Sequence, residues 1–245
     1  MKNLKKGICA GQKSPASIIH WEAALRGIAF IGGEGPSPNR RRKLAEGAAL
    51  IAAADSGLMA AEDAGIAVHL VIGDMDSLDD PGRLEKYPAD RVFRYPQDKD
   101  DTDTELALRF LWDRGCDETW LIGGGGGRTD HLLAIRSLFE RDRTPDRWVT
   151  AREDAFCLKE GAVFSPPEDL RENLRLDGIS VFPLGTGPWQ AESRGLKWPL
   201  GGLPWNRGFF GISNEAGRRN FEIRAIRGQF LVMTAREDED GGGCS

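Results

Sequence analysis

Between residues 27 and 140, short apolar runs alternate with stretches of helical periodicity, and this alternation limits the possible folds more than any other feature. Strands that alternate with helices are typical of a parallel sheet covered by helices on both faces. The first part of the chain is therefore predicted to be α/β, with a doubly wound, mainly parallel sheet. We predict strands over residues 27–33, 48–55, 69–74, 91–95 and 119–123, and helices over 39–47, 58–64, 103–114 and 129–140.

After about residue 147 the helical periodicity fades, and short β-rich runs follow, separated by glycine and proline. This spacing favours an antiparallel sandwich or barrel. The β-rich runs cover 148–151, 155–159, 178–183, 221–226 and 230–234. We expect an α/β domain over 24–147, a smaller C-terminal antiparallel β-sandwich domain over 148–236 and a disordered tail over 237–245.

The composition argues against several classes of protein. A net charge of −5 and a pI near 5.4 disfavour a nucleic-acid binder, which would show a basic face. No apolar run reaches the roughly 18 residues of a membrane-spanning helix, and the basic N-terminus lacks the apolar stretch of a secretory signal. The cysteines are too dispersed for a disulfide framework or a zinc site, which favours the reducing cytoplasm. They are Cys9, Cys116, Cys157 and Cys244.

The negative charge is concentrated in residues 74–105, which hold eleven acidic and five basic side chains. Asp55 and Asp74 each follow an apolar run directly, and ligands of open α/β sheets bind outside the carboxyl ends of the strands. Asp76, two residues further along an extended segment, would share a side with Asp74. These hard oxygen ligands suit Mg²⁺. The alternative, favoured for an isolated Asp-x-Asp, is a turn rich in aspartate.

A second acidic run, residues 98–105, begins a predicted helix. Thr102 and Glu105 form a capping box, and acids are favourable in the first turn of a helix. Capping requires one or two acids, whereas this run has five around Lys99. A divalent cation would offset their repulsion. Together with the three aspartates above, the run favours a metal site.

Five glycines at 123–127 lie between a predicted strand and a predicted helix, and Arg128 follows them. The backbone N–H groups of such a loop approach phosphate oxygens, and Arg128 offers two parallel donors. A flexible loop, or a helix capped by Thr129, explains the same residues, and no Lys-Ser/Thr closes a P-loop. For His131 the alternatives are a ligand or general base and a histidine that packs the helix against its neighbours, and the second is favoured. We expect His69 to be structural.

In the second part of the chain, Trp198 lies beside a proline between glycine-rich turns. An exposed indole there would stack on a flat, cationic heterocycle. The alternative, favoured by these residues alone, is that Trp198 and Trp205 fill the core of the sandwich.

Six motifs, in order, resemble those of the thiamine pyrophosphokinase (thiamine diphosphokinase) family. They are ADSG at 54–57, IGDMDS at 72–77, KDDTDTELAL at 99–108, GGRTDH at 126–131, GLKWPL at 195–200 and GISNE at 211–215. Ser56 replaces a common glycine and Met75 a frequent aromatic residue, and neither change removes a ligand. The resemblance implies a catalytic α/β domain followed by a β-sandwich. It also implies transfer of diphosphate from ATP to the hydroxyethyl group of thiamine, which yields thiamine diphosphate and AMP.

The resemblance implies roles for individual residues as well. The Mg²⁺ and phosphate region would consist of Asp55, Asp74, Asp76 and Asp103. The nucleotide and diphosphate path would be lined by Lys99, Asp100, Thr102, Arg128, Thr129 and Asp130, and thiamine would be held by Trp198, Ser213 and Asn214. The implied catalytic residues are Asp76, Asp103, Arg128 and Asp130, and either Asp103 or Asp130 would accept the hydroxyl proton. The implied assembly is a homodimer, with thiamine between the catalytic domain of one subunit and the β domain of the other.

Three other interpretations compete with this one. A diphosphokinase for another small alcohol, such as a hydroxymethylpterin, would share the first four motifs, but Trp198 and Ser213-Asn214 argue for thiamine. A non-catalytic sensor would carry degenerate aspartate motifs, and these are intact. An α/β domain with solvated acidic loops would leave the acidic segment and its lysine unexplained.

Overall fold

The computed structural model describes residues 24–237 except 77 and 79. Cys9, Ser77, Cys244 and residues 238–245 of the predicted tail lie outside the described residues. In the described part of the chain, no helix has both the length and the apolar character required to cross a membrane. Cys116 and Cys157 are free thiols.

The first part of the chain contains all nine elements predicted for it, with ends shifted by a few residues. Its strands are β1 (Arg26–Phe30), β2 (Leu50–Ala54), β3 (Leu70–Gly73), β4 (Val92–Arg94) and β5 (Glu118–Ile122). Its helices are α1 (Pro38–Ala45), α2 (Gly57–Asp63), α3 (Asp103–Asp113) and α4 (Thr129–Leu138), and two short 3₁₀ helices cover Pro81–Lys86 and Ala89–Arg91.

The second part is mainly β-structure, as predicted, and adds short elements that the β-rich runs did not indicate. The strands that match the predicted runs are β6 (Arg147–Val149), β7 (Glu153–Leu158), β9 (Leu174–Leu184), β12 (Glu222–Arg227) and β13 (Gln229–Arg236). The additional elements are β8 (Val163–Phe164), α5 (Glu168–Arg171), β10 (Gln190–Arg194) and β11 (Gly211–Asn214).

One ten-stranded sheet runs through both parts of the chain, in the order β11-β9-β13-β7-β6-β5-β1-β2-β3-β4. The strands from β6 to β4 pair in parallel, and those from β11 to β6 pair antiparallel. β6 is therefore parallel to β5 along one edge and antiparallel to β7 along the other. The predicted mainly parallel sheet and antiparallel sandwich are both present.

The central parallel strands β1 and β2 are buried between helices on both faces. α3 packs against β1, β2 and β3 on one face, and α2 packs against β1 and β2 on the other. This coverage explains why β2 reads as a continuous apolar run, LIAAA, instead of an alternating pattern.

The strand order reverses between β1 and β5. The chain moves from β1 through β2 and β3 to β4 in one direction, and then returns to place β5 on the other side of β1. Ligands of open α/β sheets bind at such a switch point, outside the carboxyl ends of the strands. The loops after β1 and β5 are therefore positioned to bind a ligand.

A second, three-stranded antiparallel sheet, β10-β12-β8, covers the antiparallel half of the large sheet. A separate hydrophobic core fills this part of the protein; Val181, Phe221, Ile223 and Phe230 are buried in it.

A buried ionic cluster connects α1, β6, β7, α5 and β13. Asp154 is fully buried and pairs with Arg40 at 3.3 Å, Arg147 at 2.7 Å and Arg236 at 3.1 Å. Asp169 pairs with Arg147 at 2.7 Å and with Arg40 at 3.2 Å. Buried charges are stable only when they are paired and hydrogen-bonded, so these elements depend on one another.

Candidate active site

Three aspartates from separate segments bring their carboxylates together. Asp55 directly follows β2, Asp74 follows β3, and Asp103 is the first residue of α3. One carboxylate oxygen of each lies within 4.8 Å of the other two, and all three residues are partly buried. They are three of the four aspartates predicted to bind a metal ion, and we refer to them as the aspartate cluster.

The backbone around Asp55 adopts conformations that L-residues rarely take. Asp55 has a φ of 44°, and its Oδ1 accepts a hydrogen bond from the Met75 backbone N–H at 3.3 Å. A Cβ atom at Gly73 would overlap the Asp55 carboxylate, so this close approach requires glycine. Positive φ values at non-glycine residues cost free energy, and they are concentrated at functional sites.

The predicted capping box places Asp103. The Thr102 Oγ1 accepts a hydrogen bond from the Glu105 backbone N–H at 3.3 Å, and Glu105 Oε2 accepts one from the Thr102 backbone N–H at 2.8 Å. The Thr102 hydroxyl also donates to Glu105 Oε2 at 2.7 Å, so it is used within the cap. Because α3 packs across β1, β2 and β3, its first residue reaches the aspartates that follow β2 and β3.

Crowding of the carboxylates changes their electrostatics. Burial and then the neighbouring Asp103 raise the pKa of Asp55 to about 7, and Asp74 contributes in the same direction. Lys99 Nζ lies 3.1 Å from Asp103 Oδ1 and offsets part of the negative charge. Carboxylates that repel one another in this way favour a bound cation, and hard oxygen ligands suit Mg²⁺. The aspartate cluster therefore fits a magnesium ion.

Asp76 is placed differently from the expectation. The segment is a turn and not extended, because Met75 has a φ of 66° and Asp74 Oδ1 accepts a hydrogen bond from the Asp76 backbone N–H at 3.1 Å. The expectation that Asp74 and Asp76 share one side of an extended strand is therefore wrong. The segment is the aspartate-rich turn that was the alternative interpretation. Asp76 is exposed, and its Oδ2 accepts a hydrogen bond from Gln97 at 2.8 Å. Its role as a metal ligand stays a prediction.

Basic side chains neutralise part of the acidic run at 98–105. Arg109 pairs with Asp101 at 2.9 Å, and Lys99 pairs with Asp103. Lys99, Asp100, Asp101 and Arg109 help to line a cavity of about 310 Å³ beside α3. The chain itself thus supplies two counter-charges for this run.

Two glycine-containing loops meet at the switch point. The Glu34 N–H donates to the Gly125 carbonyl at 2.7 Å, and the Gly125 N–H donates to the Glu34 carbonyl at 2.9 Å. Trp148, in β6, donates its indole N–H to the Gly123 carbonyl at 2.8 Å. The glycine run is therefore anchored at two points. Trp148 could not be recognised as part of the site from sequence, because a tryptophan in an apolar strand is typical of a core residue.

The residues after the glycine run are exposed to solvent. Arg128 Nε donates to Asp130 Oδ1 at 3.1 Å, and this hydrogen bond lowers the pKa of Asp130. Arg128, and not Thr129, is the N-cap residue of α4, without a side-chain cap. The expectation that His131 packs against neighbouring elements is wrong, since His131 is exposed in the first turn. His69, by contrast, accepts a hydrogen bond from the Ile51 N–H through Nδ1 at 3.1 Å, as expected of a structural histidine.

The predicted thiamine residues lie at the edge of the antiparallel part. Asn214 Oδ1 accepts a hydrogen bond from the Trp198 N–H at 3.2 Å, and Asn214 Nδ2 donates to the Trp198 carbonyl at 2.7 Å. The Trp198 side chain is 51% exposed, whereas Trp205 packs against the core. The core interpretation is therefore wrong for Trp198 and right for Trp205. Ser213 is exposed, with a φ of 55°.

These features define a class of protein. It is a doubly wound α/β protein with an anchored glycine loop at the switch point of its sheet and a cluster of three aspartates after the neighbouring strands β2 and β3 and at the start of α3. Glycine loops at helix N-termini bind phosphate groups, and carboxylate clusters bind the divalent cations that accompany them.

Comparison with known proteins is more specific. Residues 41–146 match the family model described as thiamin pyrophosphokinase, catalytic domain. A thiamine pyrophosphokinase of Bacillus subtilis (strain 168) is 36% identical over 149 residues, which are 60% of this chain and 68% of the relative. The chain belongs to the thiamin pyrophosphokinase family.

Solved structures show the same fold. A thiamine pyrophosphokinase structure from Bacillus subtilis aligns with a TM-score of 0.69 at 24% identity, covering 86% of this chain and 99% of that one. A thiamin pyrophosphokinase family protein from Enterococcus faecalis aligns with a TM-score of 0.68 at 22% identity, with the same coverage. At this identity the alignments support the fold, and they extend through both parts of the chain.

Proposed function

We propose that this protein is an ATP:thiamine diphosphotransferase, which transfers diphosphate from ATP to thiamine and releases thiamine diphosphate and AMP. The observation that carries the proposal is the aspartate cluster, formed by Asp55, Asp74 and Asp103, in a chain of the thiamin pyrophosphokinase family. Transfer of this kind depends mainly on positioning the reactants and neutralising charge, and the cluster suits both tasks.

The aspartate cluster would hold Mg²⁺, with Asp76 as a further candidate in the adjoining turn. When bound, Mg²⁺ neutralises negative charge on phosphate oxygens and stabilises the charge that develops on the leaving group. The crowded carboxylates and the raised pKa of Asp55 support this assignment.

The glycine loop and the residues around it would bind the phosphates of ATP. The N–H groups of Gly123, Gly124 and Gly125 donate to carbonyl groups within the protein, so the backbone contacts to phosphate would come from Gly126 and Gly127. Arg128 would bind phosphate oxygens through its guanidinium. Lys99 lies at the aspartate cluster and would exchange its contact with Asp103 for one with phosphate. Asp100 and Thr102, just before α3, and Thr129, the first residue of α4, are further candidates to line the nucleotide path.

Thiamine would stack on the exposed indole of Trp198, because a cationic aromatic ring is attracted to the face of an indole. Ser213 and Asn214 flank that site. The exposed apolar side chains of Trp198, Phe210 and Ile212, each more than half exposed, support a homodimer with thiamine at the interface. The two free thiols suit a cytoplasmic enzyme.

The transfer forms one phosphorus–oxygen bond and breaks another. The hydroxyethyl oxygen of thiamine forms a bond to the β-phosphorus of ATP. The bond from that phosphorus to the oxygen bridging it to the α-phosphorus breaks, and AMP leaves with this oxygen. The hydroxyl proton passes to an aspartate, Asp103 or Asp130. Arg128 would stabilise charge on the transferring group.

The test is to incubate the purified protein with ATP, Mg²⁺ and thiamine and to identify the products by mass spectrometry. Thiamine diphosphate with AMP is the expected result. Thiamine monophosphate with ADP would keep the substrate and overturn attack at the β-phosphorus. Conversion of other alcohols but not of thiamine would overturn the substrate, and wild-type turnover by both Asp74→Asn and Asp103→Asn would overturn the assigned site.

A further inference from the structure

Glu105 is buried near the start of α3, and both oxygens of its carboxylate are engaged. Oε2 accepts hydrogen bonds from the backbone N–H and the hydroxyl of Thr102, at 2.8 and 2.7 Å. Oε1 forms an ion pair with Arg141. A capping box requires only the contact to the N-cap backbone, so the pair with Arg141 is additional to capping.

The Glu105–Arg141 pair connects two helices that begin at the site. Arg141 lies just beyond the end of α4, and α4 begins at Thr129, directly after the glycine loop. Glu105 lies in the first turn of α3, two residues after Asp103. The Glu105 side chain is 10% exposed and that of Arg141 is 54% exposed. Because the carboxylate is largely shielded from water, the pair is screened less than one between two surface side chains.

We propose that Glu105 is a positioning residue, which holds Asp103 in the aspartate cluster through its hydrogen bonds to Thr102 and its pair with Arg141. The proposal rests on the proposed Mg²⁺ site. Asp103 directly follows Thr102, so a change in the backbone of Thr102 moves the ligand. Groups that orient metal ligands contribute roughly 10- to 100-fold to metal affinity.

The test measures Mn²⁺ binding to the full-length protein by electron paramagnetic resonance of free Mn²⁺, without ATP or thiamine. We expect Glu105→Ala to raise the Kd for Mn²⁺ by roughly tenfold or more. Glu105→Gln keeps an acceptor oxygen for Thr102 but loses the charge facing Arg141, so it should raise the Kd less. Glu140→Gln is the matched control, because Glu140, two residues beyond the end of α4, pairs with Arg136 at 2.6 Å and takes no part in the Glu105–Arg141 pair. The Kd of this variant should equal that of the wild type.

Arg141→Gln removes the ion pair and leaves the cap intact, and we expect it to raise the Kd as well. Unchanged Mn²⁺ affinity in folded Arg141→Gln, or in folded Glu105→Gln together with Glu105→Ala, would overturn the proposal. If the Glu105 variants have a lower melting temperature but an unchanged Kd for Mn²⁺, Glu105 only caps α3 and the proposal is likewise overturned. If Asp103→Asn binds Mn²⁺ as well as the wild type does, the proposed metal site fails instead, and the two failures are distinguishable.

Discussion

The carboxylate of Asp55 occupies the space that a side chain at Gly73 would require. Asp55 and Gly73 lie side by side. Each is the residue after a paired position, since Ala54 pairs with Ile72 in the parallel ladder of β2 and β3. Gly73 has a φ of 148°, which side chains also disfavour. The position of a proposed metal ligand thus depends on a glycine in the neighbouring strand.

Gly73→Ala should therefore impair both stability and activity. The new Cβ atom would displace the Asp55 carboxylate, and the backbone strain alone costs about 1–3 kcal/mol. We expect loss of most turnover and a higher Mg²⁺ requirement, measured by thermal denaturation and by Mg²⁺ titration of activity. Gly65→Ala is the control, because Gly65 also has a positive φ, of 69°, but has open space around it. Equal effects of the two substitutions on the Mg²⁺ requirement would contradict the argument.

The indole of Trp148 should contribute to the binding of ATP and not to the binding of thiamine. Trp148→Phe keeps most of the ring in the core but leaves the Gly123 carbonyl without its donor, which costs about 1–3 kcal/mol when the acceptor is buried. We expect the KM for ATP to rise several-fold while the KM for thiamine changes little. Trp112→Phe removes a comparable hydrogen bond, to Thr119 Oγ1 at 3.1 Å, away from the glycine loop, and serves as the control. A parallel rise in both KM values would refute a specific effect on the loop.

Asn214 should act on thiamine binding through Trp198. Both ends of its carboxamide are bound to the Trp198 backbone, so Asn214→Ala frees the segment that carries the indole. We expect Asn214→Ala and Trp198→Ala each to raise the KM for thiamine by roughly tenfold, since each loses a stacking contact of about 1–2 kcal/mol. The double variant should be little worse than either single variant, because residues that act as one unit are not additive. Fully additive effects would show that Asn214 contacts thiamine independently.

Asp169 should make the stability of the protein depend on acid pH. Burial raises the pKa of this carboxyl, but the hydrogen bond from Arg147 and the charges of Arg147 and Arg40 outweigh burial and lower the pKa overall. The ionised form is therefore stabilised in the folded state. Its contribution is present above the unfolded pKa of about 4, and it is lost as the pH falls through the lower folded value.

The corresponding measurement is urea unfolding of the wild type and of Asp169→Asn at several pH values. The substitution should lower the free energy of unfolding most near pH 7, and the difference should shrink as the pH falls below about 4. Asp177→Asn is the comparison, because the pair between Asp177 and Arg175 lies at the surface and contributes little. A difference for Asp169→Asn that stays constant with pH would exclude this linkage.

Much of the fold was predictable, because the buried strands β2 and β3 are unbroken apolar runs and the helices α3 and α4 place apolar residues at helical spacing. The aspartates after β2 and β3 were predictable for the same reason: a carboxylate that directly follows a buried strand lies at its carboxyl end. The capping box at Thr102 and Glu105 follows from local spacing alone, and the structure confirms it.

Other features depend on contacts between distant residues and leave no local pattern. The turn at Met75 arises because Asp55, twenty residues earlier in the chain, accepts a hydrogen bond from its backbone. The indole of Trp148 reaches a carbonyl 25 residues away, and Glu105 of α3 pairs with Arg141, which follows α4. β8 has two residues and is too short to show periodicity, so only pairing with β12 reveals it.

The two-sided pairing of β6 affects how the chain can be divided. A fragment that ends at residue 146, where the family match ends, would lack β6 and leave β5 with an uncovered edge. An exposed, apolar edge strand readily recruits strands from other molecules. The catalytic half is therefore expected to self-associate when produced alone, and during synthesis its sheet would stay open until β6 emerges. The later part of the chain thus protects the earlier part from aggregation, independently of any role in binding substrate.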